Sequence, residues 1–71
     1  MKKVMKYIRV LKVVYDDMVN EYQTCYTSRE RNEDIDRCKS RGFVYDPKTQ
    51  TWIARYFGQT HYISYYKIKY I

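Results

Sequence analysis

Residues 2–27, KKVMKYIRVLKVVYDDMVNEYQTCYT, decide the fold, because they support two incompatible readings. Read with a helical period, Val4, Ile8, Leu11, Tyr15, Met18, Tyr22 and Cys25 recur at alternating spacings of four and three. Met5, Val19 and Tyr26 widen that stripe, and Lys2, Lys6, Arg9, Asp16, Asn20 and Gln23 fall opposite it. This pattern predicts an amphipathic helix of about seven turns. Val10 and Val13 are off the stripe. Read by propensity, Tyr7–Tyr15 is rich in β-branched and aromatic residues and predicts a strand. Its period-2 alternation is poor, since Arg9 interrupts one face while Lys6 and Lys12 interrupt the other. The helix is favoured on pattern. Its charge order runs against the helix dipole, with basic residues first and Asp16, Asp17 and Glu21 later. Such an order marks either a functional surface or a segment whose first turns are not helical.

Thr27-Ser28-Arg29-Glu30 carries the capping-box spacing, and Gly42 supplies a stop, so a second helix is predicted over about 29–41. It is mostly polar, with Ile35 and Cys38 as its main apolar residues. Beyond it, Phe43-Val44-Tyr45 and Thr51-Trp52-Ile53 flank Asp46-Pro47-Lys48-Thr49. There Asp46 can bond its own backbone two residues on, and Pro47 pre-sets φ. Strands are predicted over about 43–46, 51–57 and 61–70. On the last, Tyr65, Lys67 and Lys69 share a face with Ile63, and Arg55 is grouped with them as the solvent side. The predicted fold is α+β: a long N-terminal amphipathic helix and a short second helix packed on a three-stranded antiparallel meander, forming one domain over 1–71.

A chain of 71 residues has a thin core, which ten tyrosines, two phenylalanines and one tryptophan help to fill. The net charge is +6 and unevenly placed. Residues 1–15 hold only bases, 16–36 hold seven acids against Arg29 and Arg31, and 37–71 hold seven bases against Asp46. A polarised basic surface attracts nucleic acid, anionic lipid or an acidic protein. Cys25 and Cys38 lack the companions a zinc site needs. Charges at Lys6, Arg9 and Lys12 break any signal-peptide apolar region, and no segment approaches membrane-spanning length. Together these features predict a cytoplasmic protein with reduced thiols, no metal and no cofactor.

His61 stands alone beside no nucleophile, the acidic residues lack metal-loop spacing, and no phosphate-cradling glycine loop exists, so no catalysis is predicted. The interleaved bases and rings of Arg55, Phe57, Tyr65, Lys67 and Lys69 match what a single strand of nucleic acid needs: stacking platforms with cations for the phosphates. The bland alternative is cross-strand pairing that only stabilises the sheet. The candidate binding residues are Arg55, Tyr65, Lys67 and Lys69, with Lys2, Lys6 and Arg9, extended by Lys3 and Lys12, as a second basic patch. Tyr45, Trp52 and Gly42 are assigned structural roles.

The segment Cys38-Lys39-Ser40-Arg41-Gly42-Phe43-Val44-Tyr45-Asp46-Pro47-Lys48-Thr49-Gln50-Thr51-Trp52 resembles a helix–hairpin module of DNA-processing proteins. Such modules occur in the amino-terminal domains of phage recombination helicases and in the HARP domain of annealing helicases. The resemblance covers about fifteen residues. It implies structural roles for Tyr45 and Trp52 and a nucleic-acid setting. The expected function is therefore a small, basic, non-catalytic nucleic-acid-binding accessory protein. The alternative is a phage- or mobile-element-type inhibitor docking on an acidic surface of a host nuclease, polymerase or defence effector. The 3–4 stripe also offers a homodimer seam.

Overall fold

The computed structural model describes residues 4–69. The chain runs β1 (Tyr7–Tyr15), β2 (Met18–Tyr26), α1 (Ser28–Ser40), β3 (Val44–Asp46), β4 (Thr51–Tyr56) and β5 (Gln59–Lys67). All five strands form one sheet in the order β2-β1-β5-β4-β3, with every neighbouring pair antiparallel.

This corrects the predicted long helix. Its segment is a hairpin, with Tyr15 paired to Met18 across the two-residue turn Asp16-Asp17. Asp16 holds φ at 51°, a left-handed value that aspartate tolerates better than most residues. The 3–4 stripe is divided between the two faces of the sheet: Leu11, Tyr15, Met18 and Tyr22 lie on one and Ile8 and Cys25 on the other. The helix-to-helix dimer seam disappears with it. Poor alternation in β1 has a physical cause, since β1 lies between β2 and β5 and carries apolar residues on both faces. Val10, off the helical stripe, is among the most buried residues at 7% exposure.

The remaining three strands form a meander joined by tight turns. At the β3–β4 turn, Lys48 N–H and Thr49 Oγ1–H both donate to the Asp46 carboxylate at 3.0 Å. The β4–β5 turn is Phe57-Gly58, with φ of 38° and 83°, the backbone that a type I′ hairpin requires. Helix α1 begins in a complete capping box: Glu30 N–H donates to Thr27 Oγ1 at 3.1 Å, and Thr27 N–H donates to Glu30 Oε1 at 3.0 Å. It ends in a Schellman motif around Gly42 at φ 85°, with Gly42 N–H bonded to the Lys39 carbonyl and Phe43 N–H to that of Cys38.

Residues opposite one another in register share a face. Arg9, Leu11, Ile63, Tyr65, His61, Ala54 and Tyr56 face the helix side, while Val10, Val14, Ile53, Arg55, Tyr62, Ser64 and Tyr66 face the other. Cys38, Ala54 and Ile63 are buried on the helix side of the sheet, and Val10 is buried on the other. Among the described residues no helix is long and apolar enough to cross a membrane.

Candidate functional site: a helix–sheet cleft beside a polar latch

Helix α1 brings little apolar surface to the sheet; its buried residues are Asp34 and Cys38. A hydrophobic stripe is therefore not what anchors it. Instead Asp34, at 5% exposure, meets two cross-strand neighbours, Arg9 of β1 and Tyr65 of β5. Arg9 Nε donates to Asp34 Oδ2 at 2.8 Å, the Tyr65 hydroxyl donates to the same oxygen, and Arg37 donates to Oδ1 at 3.1 Å. One turn earlier, the Arg31 guanidinium lies 4.8 Å from the ring centroid of Tyr7 and 5.9 Å from that of Tyr65.

These contacts shift the acid–base equilibria of the groups that make them. Burial alone would raise the Asp34 pKa, but the hydrogen bond from Tyr65, the charge of Arg9 and the hydrogen bonds from Arg37 and Arg9 outweigh it and hold the carboxyl below its ordinary range. Burial, then the bond to Asp34, pushes the Tyr65 phenol well above its usual value. Burial also raises the Cys38 thiol, helped by the negative charge of Asp34. For Arg9, burial opposes the charge and Asp34 more than restores it.

Beside the latch, helix α1 and the sheet border an open cleft of about 650 Å³. Arg37 and Arg41 line its helix wall; Phe43, Tyr56, Gln59 and His61 line its other sides. The rings form a chain, with Phe43 and Tyr56 centroids 6.1 Å apart and Tyr56 and His61 centroids 5.0 Å apart in an edge-on arrangement. His61 Nε2 shares a hydrogen bond with Gln59 Oε1 at 3.2 Å. Phe57, between the cleft residues Tyr56 and Gln59 in sequence, is fully exposed at the hairpin tip. A bulky side chain at positive φ, in water, is held at a cost to stability.

The predicted site residues do not assemble into one patch. Tyr65 and Arg9 are committed to the latch. Lys67 shares the helix face with Tyr65, but Arg55 is on the opposite face. Arg55 pairs with Thr60, seven residues and about 23 Å along β5 from Lys67. The grouping expected from sequence is undone by the β4–β5 register, which sets Ile53 rather than Ala54 against Tyr62. Lys69 is exposed beyond the end of β5. Lys6 is exposed, its main chain bonded to Tyr26 and Ile68. Lys2 and Lys3 are outside the described residues, and Lys12 is exposed on the face away from the helix. Tyr45 and Trp52 are cross-strand partners with ring centroids 4.9 Å apart, and Gly42 forms the helix stop.

Sequence reasoning misses Arg37, Arg41, Phe43 and Tyr56 as site residues and sets His61 aside. The signals are Arg37-x-x-x-Arg41 on one helix face, followed by an aromatic residue just past the stop, and Tyr56 and His61 bracketing a two-residue turn. Among the described residues there is no cluster of three or more histidine, cysteine, aspartate or glutamate side chains suited to a metal. Comparison with protein-family models, curated proteins and solved structures finds no match for this chain.

Proposed function

We propose that the protein is a small, basic, non-catalytic module that binds single-stranded nucleic acid in the cleft between helix α1 and the β4–β5 half of the sheet. The observation carrying this reading is the cleft's composition: Arg37 and Arg41 on one wall and the Phe43–Tyr56–His61 ring chain on the other, with Phe57 bare at the hairpin tip next to Tyr56 in sequence. Arginines supply phosphate contacts without reading sequence, and rings accept bases of any identity. Asp34, the acid in the cleft wall, is neutralised by the less exposed Arg9, so it does not repel a polyanion and the charge of the half-exposed Arg37 is left over. The net charge of +6 favours the same partner. The likeness of residues 38–52 to helix–hairpin modules of DNA-processing proteins adds a nucleic-acid setting.

The test is anisotropy titration of labelled single-stranded DNA, single-stranded RNA and duplex DNA at two salt concentrations. Binding to a single strand should weaken steeply with salt. Arg37→Ala with Arg41→Ala should reduce the logarithmic slope by about 0.7 for each phosphate that no longer meets a cation. Arg55→Ala, on the other face, is the control and should leave the slope unchanged. Failure to bind any oligonucleotide at low salt refutes the reading.

A second reading rests on the sheet face away from the helix. Val10, Val14, Ile53, Tyr62 and Tyr66 border a shallow apolar depression of about 550 Å³ there. Such a surface suits a protein partner, as an inhibitor of a host enzyme would present. Its binding would be far less sensitive to salt.

A further inference from the structure

The sheet has two edges, and they are unlike. β3 is three residues long and runs straight into Pro47, a short and blunted edge. β2 has nine residues, without proline, glycine or lysine, and Glu21 is its only charge. Met18 through Cys25 are exposed. Its outer main-chain groups can be identified. The two-residue turn closes Tyr15 on Met18, and the Tyr26 carbonyl accepts from Lys6 N–H, so even-numbered residues of β2 turn their main chain toward β1. Val19, Glu21, Gln23 and Cys25 therefore present theirs outward.

We propose that β2 pairs with β2 of a second copy of this chain, antiparallel about a two-fold axis through Tyr22. Outward groups must meet outward groups, so the axis passes through a residue and never between two. An axis at Glu21 sets two carboxylates against each other. An axis at Gln23 sets Glu21 against Cys25 and shortens the overlap. An axis at Tyr22 uses the whole strand and matches every pair in kind: Val19 with Cys25, Glu21 with Gln23, Asn20 with Thr24, Met18 with Tyr26, and Tyr22 with itself. Apolar residues meet apolar, polar meet polar, and the only charge meets an amide. The four outward residues of each copy supply about eight inter-chain main-chain hydrogen bonds. Extending the register sets the acidic turn Asp16-Asp17 of one copy beside Thr27 and Ser28 of the other, at the positive end of its helix α1. Both helices then lie on the same side of one continuous sheet.

Sedimentation velocity on the full chain over a wide concentration range tests this pairing without reference to the cleft. The wild type should pass reversibly from monomer to dimer. Added salt should strengthen the dimer by screening the repulsion between two cations, the opposite of its effect on nucleic-acid binding. Gln23→Glu places a carboxylate against Glu21 twice per dimer and should weaken association about tenfold, whereas Gln23→Lys should tighten it several-fold. In a Cys25→Ser background, Tyr22→Cys should give a disulfide dimer under mild oxidation and Asn20→Cys should not, because only residue 22 faces its own copy. A monomer at every concentration and salt, or equal crosslinking at both positions, overturns the proposal and leaves the edge to a strand from a different chain.

Discussion

Replacing Asp34 with alanine deletes the carboxylate that receives Arg9, Arg37 and the Tyr65 hydroxyl, and leaves Arg9 and Tyr65 under the helix with only each other to bond. Removing one partner from a fully buried ion pair costs about 3–5 kcal/mol. The Arg9 side chain is 20% exposed and that of Arg37 is 56% exposed, so water relieves part of the loss and about 2–3 kcal/mol is expected. A domain of this size has a total stability of roughly 7 kcal/mol, so the variant gives up about a third of it. Thermal unfolding followed by circular dichroism should show Tm lowered by about 10–20 °C. Asp34→Asn, which keeps an acceptor but loses the charge, should fall between. The triple replacement Arg9→Met, Asp34→Leu, Tyr65→Phe removes the buried polar groups of the cluster together, leaving only the half-exposed Arg37 without its partner, and should recover most of the loss. An Asp34→Ala variant within about 3 °C of wild type would refute the view that this polar cluster anchors the helix.

Phe57→Asn relieves a bulky residue at φ 38° in the position where a type I′ turn prefers asparagine; it should raise stability by about 1 kcal/mol in denaturant melts while weakening oligonucleotide binding. On the acid side, the depressed pKa of Asp34 contributes stability that is complete above the ordinary carboxylate value of 3.8 and is lost as pH falls toward the folded value; Asp34→Asn should flatten urea midpoints in that window. On the alkaline side, the raised Tyr65 pKa contributes stability that is complete below pH 10 and declines above it, and Tyr65→Phe should remove that decline. Exposed Cys25 should react promptly with a thiol reagent, whereas Cys38, 3% exposed and with a raised pKa, should react only at the rate of unfolding.

Where local chemistry decides a structure, the sequence is legible. Thr27 with Glu30, Gly42, and Asp46-Pro47 each act within a few residues, and the helix start, helix stop and hairpin turn form as their side chains dictate. The N-terminal segment is a different case. A central strand buries residues on both faces, which erases the period-2 signal, and two strands read end to end produce a stripe with a helical period by accident. Asp16-Asp17 carries no glycine or asparagine to mark a two-residue turn. The site is less legible than the fold, because it depends on register. Tyr65 and Arg9 resemble binding residues in sequence and become structural only once Asp34 of α1 is set over both. The cleft joins Arg37 and Arg41 to Tyr56 and His61, residues that only the packing of helix on sheet brings together.

The most direct test of the account is amide chemical-shift mapping on addition of a short single-stranded oligonucleotide. The largest shifts are expected at Arg37, Arg41, Phe43, Tyr56, Phe57 and His61, with Val10, Ile53, Tyr62 and Tyr66 on the opposite face undisturbed. Shifts concentrated on that opposite face, or none at low salt, would contradict it.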